Sequence, residues 1–476
     1  MSQESLRTKL GAPVSLKSAV YRATAVMFVF QLFGALGAGF IFVVSNILQI
    51  HIEPSQFWYV FWHLCFWATD FAFVCFTLIL AYHIAGIPAI APALTLSLYY
   101  SHFAGLYDGA DMTVPLYTTF FAPPVGGAGG LNIGYMGFLF IALGVGYGIR
   151  GLYTLWDYLK KVVAPWAQEK LIAKLTASGL AQKIKPIQTL QAKDLLDGID
   201  LIVLILILPI VTALATYFAV QYIIAVPFNA LGATLQPVLT DLFAAGKNGL
   251  GGLLMGLMVG FDTIGPLSMA GFRAAGEAAA GGNAIPITAF ALSFAATGWV
   301  CMAVFILNKL TKWGGKLDTD DMNITVSGPI NALFDNMKLT VAFGMPMAFR
   351  SPFTLIPGTI VACGLTAFLA CQMGIRNTLY LTEPMVEKFL AGDYYTSFAQ
   401  PHLKLAENNQ PLATLGVIAL GVIVGGAVAL AIRQCIAVRQ ERNHTTEETS
   451  GDIVLEMRYL SENRGQNSED RGQNEG

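Results

Sequence analysis

Apolar residues in this chain come in long unbroken runs rather than as the two-residue alternation of strands or the one-sided stripe of a surface helix. A hydrocarbon core about 30 Å thick needs roughly 20 apolar helical residues to cross it. Runs of that length occupy Thr24–Ile50, Phe57–Tyr82, Asp200–Val226, Ala284–Asn308, Pro352–Gly374 and Leu412–Ile432. Two further stretches are interrupted: Ile84–Leu106 carries Pro88 and Pro92, and Leu131–Ile149 is rich in glycine. Helix breakers are tolerated in a span where neighbouring helices re-satisfy the backbone. The pattern therefore predicts an all-α polytopic membrane protein with about eight transmembrane helices.

Lysine and arginine placement orients these spans, because cytoplasmic loops carry the positive charge. The N-terminal segment (residues 1–23) holds Arg7, Lys9, Lys17 and Arg22; residues 150–199 hold Arg150 and seven lysines; Lys309–Lys316 and the tail from Arg433 also carry lysine or arginine. The segments His51–Gln56, Ser101–Gly130 and Ala225–Gly246 contain neither residue. Four spans in the first half (residues 24–149) return the chain to the cytoplasm before Arg150. The fifth leaves it outside, and it must be inside again by Lys309, which requires an odd number of crossings. Two apolar stretches lie between, of which Leu250–Gly260 is only half a span long. Residues 249–273 thus read as a re-entrant hairpin and Ala284–Asn308 as the crossing. The same parity makes residues 324–350 a second hairpin in the second half (residues 200–432), with both termini cytoplasmic.

Composition agrees. Of 476 residues, 55% are hydrophobic and only 12% charged, about half the charged fraction of a soluble domain, and mean hydropathy is +0.59. That balance excludes a single soluble core, disorder and a disulfide scaffold. Five of the six cysteines (Cys65, Cys75, Cys301, Cys363 and Cys371) lie in apolar runs without CxxC pairing and read as small buried hydrophobes. The first apolar run is too long for a signal h-region and lacks a cleavage site. The basic segment 150–199 is either an amphipathic helix on the inner leaflet or a plain connector. Phe228–Phe243 reads as a second interfacial helix. The tail (residues 433–476), with RGQN at Arg464–Asn467 and again at Arg471–Asn474, has too few apolar residues to order itself.

Within the hairpins lie the residues with chemistry. The stretch Val259–Phe272 brings Asp262, Thr263, Gly265, Pro266 and Ser268 together in an apolar surround. An aspartate at membrane depth costs roughly 2.5–3.5 kcal/mol on insertion scales, and Gly-Pro forces an irregular turn that frees backbone groups. A carboxylate, hydroxyls and free amides at one bend suit a polyhydroxylated ligand; the alternative is a structural kink with Asp262 at the water interface. A second Gly-Pro, at Gly328-Pro329, is followed by Asn331, Asp335, Arg350 and Ser351, with Arg350 either holding a hydroxyl or phosphate or snorkelling at the end of a span. His63 and Asp70 share a helix face as a proton relay or a buried structural pair. Asp108 and Asp111 sit in an outer loop. Cys435 in Arg433–Arg439 has no folded domain after it to make a phosphocysteine loop. Neither a Walker loop, a metal cluster nor a serine triad is present, so no catalytic residue, metal or cofactor is expected, and no nucleic-acid partner.

At these residues the chain resembles the sugar-translocating enzyme IIC subunit of bacterial phosphotransferase systems, most like the fructose type. The family's FDxGGPVNKAA stretch is matched at Phe261, Asp262, Gly265, Pro266 and Ala270. Leu208–Leu214 with Val226–Leu231 resembles its proline-containing span and exit, and Pro346 with Ser351–Pro357 resembles its ITEGAIPFAAADPLRVIP stretch. Ala85–Leu98 and Gly134–Leu152 resemble the family's first half more loosely, so the likeness covers roughly residues 20–375. The chain departs where the family carries its polar residues: Ser268-Met269 stands for Asn-Lys, Val341-Ala342 for Thr-Glu and Ser351-Pro352 for Asp-Pro. The resemblance implies an enzyme IIC-like fold in a bacterial inner membrane and a homodimer. It also implies a sugar substrate met by Asp262, Thr263, Gly265, Pro266, Ser268, Asp335, Arg350 and Ser351, with separate phosphocysteine and phosphohistidine subunits, since this chain contains neither domain. Two alternatives stand beside group translocation: an orphan facilitator or cotransporter, and a transport-inactive membrane sensor.

Overall fold

The computed structural model describes residues 15–41, 48, 57–100, 133–167, 199–263, 265–314, 352–381 and 409–438, with 170, 174 and 177. Among them every regular element is helical. In chain order these are α1 (Leu16–Ile41), α2 (Phe57–Ala85), α3 (Ile90–Tyr99) and α4 (Gly134–Ala167). The continuous helix Ile199–Ala244 contains α5 (Leu208–Ala219) and α6 (Val226–Ala244). Then come α7 (Asn248–Phe261), α8 (Pro266–Ala280), α9 (Ile285–Thr311), α10 (Pro352–Gln372) and α11 (Pro411–Val438). Five of these helices are long and apolar enough to cross a membrane: Met136–Val162, Ile199–Ala244, α9, α10 and α11. The helices α1 and α2 reach 26 and 29 residues, each about 40 Å at 1.5 Å per residue.

Several boundaries differ from those the hydropathy pattern predicts. The stretch Ile84–Leu106 does not form one long helix over its described part. Helix α2 runs on to Ala85, and Pro88 then sits in a single 3₁₀ turn, Ile87–Ala89, before the 10-residue α3. Arg150 belongs to α4 rather than to a connector, and its guanidinium donates to the Ile84 carbonyl. Phe228–Phe243 is not a separate interfacial helix; it continues the preceding span in a helix of 46 residues, about 69 Å long. Proline explains how the helix continues. Pro209 and Pro227 each lack an N–H and crowd the carbonyl four residues back, and each is preceded by a widened π-helical stretch, Val203–Ile207 and Val220–Ala225. The wider turn absorbs the ring without ending the helix. The second hairpin expected at 324–350 and the tail beyond Val438 lie outside the described residues.

Packing is close and apolar. One core is built by Phe76 and Leu80 of α2, Met255 and Val259 of α7, Phe272 of α8, Phe290 of α9 and Cys363 of α10. A second joins α2, α3, α4 and the long helix through Ala85, Ala93, Ile141, Ile149, Tyr153 and Leu208. Glycine brings backbones together: Gly256 and Gly260 of α7 leave no room for a side chain against Cys363 and Ile360 of α10, and Gly425 of α11 is equally tight against Gly358. The outer surface is apolar as well. Leu201, Ile205, Ile210, Leu214, Phe218 and Ile223 of the long helix are all exposed, a contiguous stripe that suits lipid and not water.

Candidate functional site

Helices α7 and α8 form a hairpin. Their outer ends meet where Asn283 Nδ2 donates to Asn248 Oδ1 at 3.4 Å, and the chain reverses at Asp262–Gly265. Helix α7 has 14 residues, about 21 Å, less than the roughly 30 Å a crossing needs. It runs antiparallel to α10, with Gly249 at Gln372 and Gly260 at Thr359–Ile360. The break therefore sits within the length of α10, in its N-terminal half, and α10 is one of the helices able to span a membrane.

At the break the sequence specifies the geometry residue by residue. Pro266 opens α8, where its missing N–H is no loss. Gly265, in extended conformation, precedes it as the cap residue. Because glycine offers no side-chain cap, the carboxylate comes from Asp262: its Oδ2 accepts the Leu267 N–H at 2.9 Å, while the Gly265 N–H donates to the Asp262 carbonyl at 2.9 Å. A Cβ on Gly265 would overlap that carboxylate, so the turn admits only glycine. The Thr263 hydroxyl donates to the Val259 carbonyl at 2.7 Å, and the Ser268 hydroxyl to the Gly265 carbonyl at 3.0 Å. Asp262 is 6% exposed and Ser268 0%. The five residues singled out here from sequence do converge, but their hydrogen bonds run within the hairpin itself.

Two other elements enclose the break. Gly134, the first residue of α4, has φ +58°, and a Cβ there would come within 2.9 Å of both Asp262 Oδ1 and the Gly265 Cα. Gly232 of α6 abuts the Pro266 carbonyl, and Phe228 stacks on Phe261 with centroids 6.3 Å apart. The N-termini of α4 and α8 thus both meet at Asp262, and each carries roughly half a positive charge from its aligned peptide dipoles. This is an environment that holds a carboxylate, or another anion in its place, away from water. Nothing short of the fold marks Gly134 as part of the site; the only sequence signal is the glycine run before it.

Of the remaining candidates, Asp335, Arg350 and Ser351 lie outside the described residues, as do Asp108 and Asp111. His63 and Asp70 fall within α2, but their side chains lie outside the described set. The structure adds a polar cluster not anticipated from sequence, at the far end of α4. Asp200, fully buried, takes Lys160 Nζ at 2.7 Å and Trp156 Nε1 at 2.8 Å. Asp157 is 3.8 Å from Lys160 and 3.4 Å from Lys161. Among the described residues no group of three or more His, Cys, Asp or Glu could hold a metal ion. Compared with family models, with curated proteins and with solved structures, the chain matches none.

Proposed function

We propose that the protein is a membrane transporter for a sugar or similarly small polar solute, built like an enzyme IIC permease, with the α7–α8 break at its solute site. The observation that carries this reading is the buried Asp262 in a non-helical turn that lies within the length of α10, in its N-terminal half. Irregular backbone at membrane depth is tolerated only where it is buried in protein or lines a wet cavity, and broken half-helices of this kind form the substrate sites of transporters. The convergence of two helix N-termini supplies a positive field for solute oxygens at the same spot. In this account the hairpin moves with α9 and α10 against the remaining helices, exposing the break alternately to the two sides. By the resemblance, Asp335, Arg350 and Ser351, which lie outside the described residues, would also meet the solute.

The departures from the family favour facilitated transport or cotransport by this chain alone over obligate group translocation, because the positions given to sugar contacts are Ser268, Met269, Val341, Ala342 and Ser351 here. Uptake of a panel of labelled sugars into proteoliposomes, with and without phosphorylated partner proteins, separates the readings. Uptake without partners is expected. Uptake only with partners restores group translocation, and no uptake of a solute that binds makes the protein a sensor.

A further inference from the structure

We propose that Tyr217 and Gln221 of the long helix, walled by Tyr99 and Tyr100 of α3, form a contact site for a neutral polyol or sugar ring, distinct from the hairpin break. The inference rests on the transport reading and narrows its substrate class. The rings of Tyr100 and Tyr217 lie 6.2 Å apart and only 25° from parallel, and Tyr99 meets both edge-on at 5.1 and 5.6 Å. The Tyr100 hydroxyl donates to Gln221 Oε1 at 2.9 Å. That leaves two polar groups without a partner among the described residues, Gln221 Nε2 and the Tyr217 hydroxyl. Both side chains are half-buried, so each is reachable from one side.

Polar groups in an apolar helix bundle cost free energy unless bonded, and packing alone would be served by phenylalanine and leucine. Tyr217 and Gln221 are four residues apart, about 6 Å along the helix, a spacing that lets a hydroxyl and an amide engage neighbouring oxygens of one ring. The widened turn Val220–Ala225, forced by Pro227, carries Gln221 at this point. The half-buried rings of Tyr99 and Tyr217 supply the apolar wall on which the C–H face of a sugar rests, with the buried Tyr100 packed behind them. Among the described residues no charged side chain belongs to the cluster. It therefore fits an uncharged carbohydrate and not its phosphate ester. Phe228, which stacks on Phe261 beside the break, follows Gln221 by seven residues, about 10 Å, so the two sites lie along one helix.

The test uses the full chain in lipid nanodiscs, free of sugar-headed detergent. D-Glucose, D-fructose, D-mannitol and fructose 1-phosphate are titrated calorimetrically against wild type, Tyr217→Phe, Gln221→Leu and Asp262→Asn, with each variant's folding checked by thermal melting. At least one neutral probe is expected to bind, with its phosphate ester at least tenfold weaker where tested. Tyr217→Phe and Gln221→Leu should each weaken the neutral probe about tenfold, the effect of one lost hydrogen bond of about 1.4 kcal/mol. Folded Tyr217 and Gln221 variants that bind as wild type does, while Asp262→Asn does not, would overturn this site and leave the transport reading standing. Tighter binding of the phosphate ester overturns it too. If wild type binds no probe, the sugar reading itself fails.

Discussion

Asp262 has two separable properties, its shape and its charge. Its Oδ2 caps α8 through the Leu267 N–H, a buried acceptor whose removal strands a donor at about 1–3 kcal/mol. Asparagine keeps an oxygen in the same place; alanine does not. Asp262→Ala is therefore expected to lower stability by about 2 kcal/mol, and Asp262→Asn by less than half as much, both read from chemical or thermal unfolding in nanodiscs. Equal losses would show that the carboxylate's charge, and not its cap, holds the turn. The motif was legible in sequence because an aspartate and a Gly-Pro in an apolar run each need a cause. The inward direction of the hydroxyls was not legible, since Thr263 and Ser268 find their acceptors, Val259 and Gly265, only once the turn has formed.

At the scale of elements, the pairing of α4 with the long helix depends on one buried carboxylate. Asp200→Ala would take the acceptor from Trp156 and leave Lys160 with only Asp157, 3.8 Å away, and removing one member of a buried pair typically costs about 3–5 kcal/mol. The measurable outcome is a lower unfolding midpoint with loss of the packing between α4 and the long helix, visible as raised hydrogen exchange at Thr212 and Thr216, which lie against Gly148 and Gly144. Asp200→Asn, which keeps an acceptor for Trp156, should lose less. Hydropathy could not reveal this contact, because Lys160 and Asp200 are 40 positions apart and each has a sufficient local reading, one as a cytoplasmic charge and the other as the edge of a span. The helix joining α5 to α6 escaped for a related reason. Pro227 reads as a terminator in sequence, yet the widened turn before it keeps the helix intact, and that accommodation depends on backbone geometry and not on residue type.

For the molecule as a whole, long apolar helices were the most legible feature: α9, α10 and α11 begin within one residue of the runs that predict them, and α9 and α10 end within three, while α11 runs six further, because about 20 apolar residues admit few alternatives to a buried or lipid-facing helix. Sidedness belongs to the same scale, and here charge placement makes a prediction. By the positive-inside rule Arg433, Arg439 and Arg442 are expected to put the end of α11 in the cytoplasm. Cys435 is exposed there, whereas Cys301, Cys363 and Cys371 are buried. In a Cys65→Ser, Cys75→Ser variant, a membrane-impermeant maleimide should label inside-out vesicles and leave intact cells unlabelled; labelling of intact cells would invert the topology.

The central claim, that the α7–α8 break is a solute site in a transporter, is tested most directly by one paired measurement. Wild type and Asp262→Asn are reconstituted in equal amounts in proteoliposomes, and uptake of a labelled neutral sugar that binds the wild type is followed without partner proteins. The account predicts uptake above protein-free vesicles for wild type and its loss in a folded Asp262→Asn. Equal uptake by the two proteins would contradict it.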